Sequence, residues 1–421
     1  MEDGNFLEGG SSSPIDVDDE VDVDVRRRRL IEPSQQVDRG LADLALQADP
    51  LLAVTPVDID AAWEQFQADC FERAPQFHYR PLNVDPDRVR RTLHGLPIEA
   101  VEDPTLAGLF REKCHEIDAQ LDLLARRDTP AFLPASLALY GRPDGPLVEL
   151  ARRVVTAVAA AQPDGPARPR GPVVDAVAFA AEARAEIRGF GDLAPETVPD
   201  VEIREDVTGL LVDHGRLLVA AGLRVDSARV DALVQHEVGT HVLTWVNGGR
   251  QPLEMLRVGL PHYDETQEAL AVVAEFAVGG LTAGRLATLA GRVLAAASLV
   301  EGATFVETFR ALRAETAFGP ERAFEVTART HRAGGLTKDL VYLRGLRRLL
   351  SHLGEGGAMD DLLVGKVSFD YLPVVEDLRS RGVLGPPRLR PRWLDWPGGD
   401  APVRALRAGL EVEDLIDGGQ R

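Results

Sequence analysis

The eight residues Val234-Gln235-His236-Glu237-Val238-Gly239-Thr240-His241 constrain this chain more than any other stretch. They read HExxxH, one residue longer than the HExxH pattern in which two histidines stand one helical turn apart and share a metal ion. On an ideal α-helix a five-residue separation turns the second imidazole about 140° away from the first, too far round for one tetrahedral ion. A helix that brings the two together must be distorted. A one-residue π-bulge does this, and such bulges gather at functional sites. Gly239, inside the inserted stretch, eases the distortion. Glu237 directly follows the first histidine and is placed beside any shared metal, where it can take a proton from water as general base.

Two imidazoles leave a zinc ion one protein ligand short of the set that, with an open position, makes a catalytic site. The run Gln267-Glu268-Ala269-Leu270-Ala271 opens a second helical stretch. Glu268 is therefore the candidate third ligand, with Glu275, seven residues on and on the same face, as the fallback. Asp264-Glu265-Thr266-Gln267 reads as a capping box with Asp264 at the N-cap. The competing interpretation is two hydrogen-bonded histidines on an apolar helix with a solvated glutamate between them.

The chain has 421 residues, 45% of them hydrophobic, enough for a large core in two lobes plus a tail. Its formal charge of −20 argues against nonspecific nucleic-acid binding, which needs basic surface against phosphate. Cys70 and Cys114 make no disulfide framework, and each reads as a small buried hydrophobe in a cytoplasmic chain. No signal-like start is present, and the longer apolar runs, Val293 to Val300 and Val154 to Ala161, fall well short of a membrane span of about 18 residues. No membrane association is expected.

Residues 1–36 pass from Gly/Ser-rich to acidic (Asp16 to Asp24) to basic (Arg26 to Arg29) and read as a disordered tail. Residues 37–161 carry helical periodicity, as in Ile59 to Ala74 and Thr105 to Leu124, and form a helical lobe. Phe77-His78-Tyr79-Arg80-Pro81 interrupts it as a packed loop. The Pro/Gly-rich stretch 162–172 is a linker, and 173–421 is the catalytic region. A helix is expected over Val173 to Ile187. Short β-rich runs follow at Val201 to Arg204, Gly209 to Val212 and Arg216 to Ala220, a small antiparallel sheet ahead of the metal helix. That helix is expected to start at Asp226 or Ser227 and to end at Asn247-Gly248-Gly249 with a left-handed glycine cap. Pro386 to Pro391 reads as the loop that ends the ordered core. The expected fold class is α+β, mostly helical, with a zincin-like arrangement in which an exposed strand holds an extended peptide beside the metal.

The HEVGTH and QEALA segments, with Gly334-Gly335-Leu336-Thr337-Lys338-Asp339-Leu340-Val341-Tyr342-Leu343, resemble the microtubule-associated tyrosine carboxypeptidase family, whose bacterial relatives are called flavohemoglobin expression-modulating QEGLA-motif proteins. The likeness covers most of the chain after about residue 37. By motif it implies His236, His241 and Glu268 as ligands of one zinc ion and Glu237 as the catalytic glutamate. Ala269 stands where the bacterial motif has glycine, a small change beside the ligand.

A carboxypeptidase also needs a cation for the substrate's terminal carboxylate and a donor for the developing oxyanion, and the resemblance does not settle which residues these are. The stretch from Thr330 to Tyr342 concentrates such groups around a Gly-Gly turn. Arg332 is the candidate bidentate clamp and Lys338 a point charge; Tyr342 or His331 is the oxyanion donor. His262 and Tyr263 are weaker candidates. The function these residues support is a zinc metallopeptidase of carboxypeptidase type acting on a peptide or protein C-terminus. A regulatory or binding protein that keeps the zinc site without turnover is the alternative, and a zinc hydrolase of a non-peptide amide would use the same residues.

Overall fold

The structure is a computed structural model that describes residues 26, 30, 32–161, 171–191, 198–395 and 400–417. Most of the expected tail and linker lies outside the described residues. A helix begins at Glu32, inside the span expected as tail, and runs to Ala48, with Ser34 buried inside it.

The N-terminal helices form as their sequences dictate. Asp103 accepts from the backbone N–H groups of Thr105 and Leu106, Pro104 occupies the first turn, and the helix continues to Ala125. Its Leu106, Leu109, Phe110, Ile117 and Leu121 are buried in a core that also takes in Leu270 and Val273 from the second motif's helix and Leu343 and Leu346 from Leu340–Gly354. Residues 37–161 thus share a core with the C-terminal half. The helix Ala283–Val300 is long and apolar enough to cross a membrane by length and composition, yet it is 67% buried here and packs as a core helix.

The sheet departs from expectation. Strands β1 (Val173–Asp175), β2 (Val201–Arg204), β3 (Leu210–Asp213), β4 (Arg216–Ala220) and β5 (Arg224–Asp226) form two small sheets. β1 pairs antiparallel with β5, Val173 facing Asp226, so the expected helix over Val173 to Ile187 begins only at Ala176. The other sheet has the order β2-β4-β3 and is mixed rather than antiparallel. β3 and β4 form the hairpin, with His214 and Gly215 both at positive φ in its turn. The chain from β2 passes to the far edge before returning, which inserts β4 between the others and makes it parallel to β2. β4 reads as a continuous apolar run because the central strand is covered on both faces.

A second core cluster joins this sheet to the motif helix. Val230, Val234, Val238, Val242 and Val246 meet Leu217 and Val219 of β4 and Phe179 of the preceding helix. Each valine contributes roughly 1.5–3 kcal/mol by leaving water, and together they fix which face of the motif helix points away from the sheet. The histidines lie on that other face. Beyond Pro391 the ordered structure continues, contrary to expectation. Trp393 is 2% exposed, and the proline loop is tied back by Asn247 Nδ2 donating to the Leu389 carbonyl at 2.9 Å.

Candidate active site

The motif helix starts where Asp226 accepts from the Ala228 N–H at 3.0 Å. It is α-helical over Ser227–His236, π-helical over Glu237–Val242 and α-helical again over Leu243–Gly249. The extra residue is absorbed as the HExxxH spacing requires, and the two imidazole centroids lie 5.2 Å apart. Gly239 serves by its lack of a side chain: a Cβ there would sit 2.5 Å from Oε1 of the buried Gln235. The helix end also differs from expectation. Gly248 takes no left-handed conformation; it is needed because a Cβ would lie 2.3 Å from the backbone oxygen of Leu256.

His236 Nε2 is 3.7 Å and His241 Nε2 3.8 Å from Glu268 Oε2, and the three ligand atoms all lie within 4.8 Å of one another. Tetrahedral ligands at about 2.0–2.1 Å from zinc stand about 3.4 Å apart, so the trio matches such an ion after a small contraction. Glu268 Oε2 is buried with no hydrogen-bond partner among the described residues, a state that costs free energy unless a cation completes it. The donor set, the spacing and the orphaned oxygen therefore fit a divalent metal. Glu275, the fallback, is not at this point. Its Oε1 lies 2.9 Å from His236 Nδ1, which leaves Nε2 to face the ligand centre. Arg229 donates to the other carboxylate oxygen at 2.8 Å and Arg285 to Oε1 at 3.3 Å.

Burial governs the electrostatics. It raises the Glu237 carboxyl to about 7, against the opposing pull of His236 and with the help of Glu268. Burial also raises Glu268, and together with the His236 charge it holds His241 well below the usual imidazole range. Burial pulls His236 down too, but its hydrogen bond to Glu275 and the three surrounding carboxylates win, and the net shift is upward.

The metal trio and Glu237 open on a cleft of about 200 Å³. Arg332 and Tyr342 both line it. Arg332 is buried, its Nε and Nη2 have no hydrogen-bond partner among the described residues, and burial lowers it to about 10. Arg329 instead grips Asp339 with two bonds of 2.6 and 2.8 Å, which leaves Arg332 without that carboxylate. The Tyr342 ring centroid lies 4.7 and 5.8 Å from the guanidinium carbons of Arg292 and Arg285, and burial with the Glu268 charge pushes its phenol to about 12.

Two expected substrate groups have surroundings the sequence did not indicate. Lys338 lines the cleft, but its ammonium is bonded to Asp264 at 2.6 Å and is no free point charge. This pairing also replaces the expected N-cap role of Asp264, which is the first helical residue and follows the N-cap Tyr263. His331 does not line the cleft. It ends the helix Pro320–His331, bonded to Thr308 at 2.8 Å and packed on Phe305, and burial lowers it to about 4. The chain turns sharply just after it, with Ala333 at φ +57° held by the Tyr79 hydroxyl, so neighbouring His331 and Arg332 face different surroundings.

Sequence reasoning missed Arg229, Arg285 and Lys366. Arg285 and Arg292, seven residues apart in an otherwise apolar helix, share a face, and that spacing was the available signal. Lys366 lines the cleft with its ammonium 5.3 Å from the ring centroids of both Trp245 and Tyr263, and no local pattern marks it.

A sequence model of the microtubule-associated tyrosine carboxypeptidase family matches residues 64–408. Microtubule-associated tyrosine carboxypeptidase 1 of Mus musculus is 30% identical over 200 residues, 44% of this chain and 41% of that protein, so the chain matches less than half the length of this curated relative. A solved protein from Colwellia psychrerythraea covers 80% of this chain and 69% of its own at 15% identity and a TM-score of 0.41, a likeness too slight to carry an argument. By the extent of the family match, this chain belongs to the microtubule-associated tyrosine carboxypeptidase family.

Proposed function

We propose that the chain is a zinc-dependent peptidase of carboxypeptidase type that hydrolyses a peptide bond near the C-terminus of a peptide or protein. The observation that carries this is the convergence of His236, His241 and Glu268 on one point, with an orphaned buried oxygen, beside a buried glutamate on the same helix. The motif helix beside a small sheet supports a zincin-like arrangement. His236, His241 and Glu268 would hold the ion, which when bound supplies a Lewis acid for the scissile carbonyl and an acidified water.

The protein's own groups take the remaining roles. Glu237, near neutrality by burial, accepts the proton of the attacking water and returns it to the leaving amine. Tyr342 donates its phenolic hydrogen to the oxygen that becomes anionic, a role its upward shift suits because the phenol stays protonated. The Arg332 guanidinium, whose Nε and Nη2 have no hydrogen-bond partner among the described residues while Nη1 reaches the Thr55 hydroxyl at 3.4 Å, binds the terminal carboxylate and sets the register of cleavage. β3 lies at the edge of its sheet and Leu210, Leu211 and Val212 line the cleft, so an extended substrate can pair its backbone there.

The test is zinc content and residue release from a peptide library with free C-termini, in wild type and Glu237→Gln. Stoichiometric zinc in both, with release only by wild type, is the expected result. Undiminished release by Glu237→Gln overturns the mechanism, and zinc without release from any peptide favours a binding or regulatory role.

A further inference from the structure

The helix Ala283–Val300 carries one side chain that touches both halves of this site. Arg285 Nε lies 3.3 Å from Glu275 Oε1, the same oxygen that lies 2.9 Å from His236 Nδ1. The guanidinium of Arg285 also lies over the Tyr342 ring, 5.8 Å from its centroid. Arg229 makes a different pair of contacts, with Glu275 Oε2 at 2.8 Å and with the Gly280 carbonyl.

We propose that Arg285 is a positioning residue that couples the aim of His236 to the placement of Tyr342. This rests on the peptidase reading above, since it assigns no chemistry of its own to Arg285. The physical argument starts from Glu275, which is buried and held by donors at both oxygens. Arg229 fixes one oxygen from one side; Arg285 fixes the oxygen that faces the imidazole. Without Arg285 the carboxylate keeps a single arginine and can pivot about that bond, so His236 loses the fixed acceptor that directs its Nε2 to the ligand centre. The same loss removes one of the two guanidinium groups that lie over the Tyr342 ring, leaving that of Arg292. A lysine at this position would restore the charge toward Glu275 but not the planar face against the ring.

The experiment uses the full chain, stripped of metal and reloaded with zinc, as wild type, Arg229→Met, Arg285→Met and Arg285→Lys, with circular dichroism and melting curves as the fold control. Zinc affinity is read by competition with a chromophoric chelator, independently of activity, and kcat and KM are then read at saturating zinc. Both methionine variants are expected to bind zinc at least about 10-fold more weakly. At full zinc occupancy Arg285→Met is expected to lose about 10-fold more kcat than Arg229→Met, with KM changed by less than about twofold, and Arg285→Lys to regain zinc affinity without regaining kcat. Wild-type zinc affinity in Arg285→Met, or equal kcat losses in the two methionine variants, overturns the proposal. Should Arg285→Met fail to fold, wild-type kcat in Arg285→Lys overturns it equally. If the wild-type chain binds no zinc the peptidase reading falls as well, whereas zinc binding that is indifferent to Arg285 removes this inference alone.

Discussion

Lys366 is held in the cleft wall near two aromatic rings, with no carboxylate bonded to its ammonium among the described residues, and burial draws its pKa from 10.5 to about 8. A group so shifted carries a folding cost of about 3 kcal/mol while charged, at about 1.4 kcal/mol for each tenfold change in proton affinity. The side chain is partly open to the cleft, and each ring returns about 0.5–1 kcal/mol to the ammonium. Replacing Lys366 with methionine, which keeps length and apolar stem, is therefore expected to stabilise the protein by about 1–2 kcal/mol at pH 7. The unfolded chain keeps the lysine protonated up to 10.5 and the folded chain only to about 8, so the cost is present in full below about 8 and fades as pH rises to 10.5. Urea denaturation of both proteins at pH 7, 9 and 10.5 measures this directly, and the gain should shrink across the series. A methionine variant less stable than wild type at pH 7, or a gain that does not change with pH, would refute the reasoning. A cation kept in the cleft at such a cost is expected to act on the ligand, so the same variant should lose activity while gaining stability.

Three further outcomes follow from the site. Arg332→Met should lower kcat/KM for peptides with a free C-terminus about 100-fold while leaving the slow hydrolysis of C-terminally amidated peptides unchanged, measured by steady-state kinetics on matched pairs. His331→Ala should leave kcat and KM within about twofold of wild type, because the imidazole is bonded to Thr308 and packed on Phe305 away from the cleft. Gly239→Ala should destabilise the chain by about 1–3 kcal/mol in chemical denaturation, since the new methyl meets the buried Gln235 amide.

Much of the site was legible because it is local. The HExxxH spacing demands a π-turn from helix geometry alone, and the structure has that turn at Glu237–Val242. Glu268 and Glu275 were placed on one face by their separation, but spacing along a helix cannot say which carboxylate joins the Nε2 atoms of His236 and His241 and which reaches the other nitrogen of His236. Arg229 and Arg285, from two other helices, decide that. Of the stretch from Thr330 to Tyr342, Arg332, Lys338, Asp339 and Tyr342 line the cleft, but the backbone turn at Ala333 separates His331 from Arg332, and the Asp264–Lys338 bond joins residues 74 apart. The short strands were visible as β-branched and leucine runs between turns. Their order was not, because β2 pairs directly with β4 and β3, which lies between them in sequence, takes the far edge.

The central claim is that His236, His241 and Glu268 bind one metal ion, and metal content by mass spectrometry of the intact, natively purified chain tests it most directly. After chelator treatment and reloading, wild type should carry one zinc ion per chain, while His236→Ala, His241→Ala and Glu268→Gln, each shown to be folded, should carry none. Wild-type protein without bound zinc, or folded variants that retain it at full occupancy, would contradict the account.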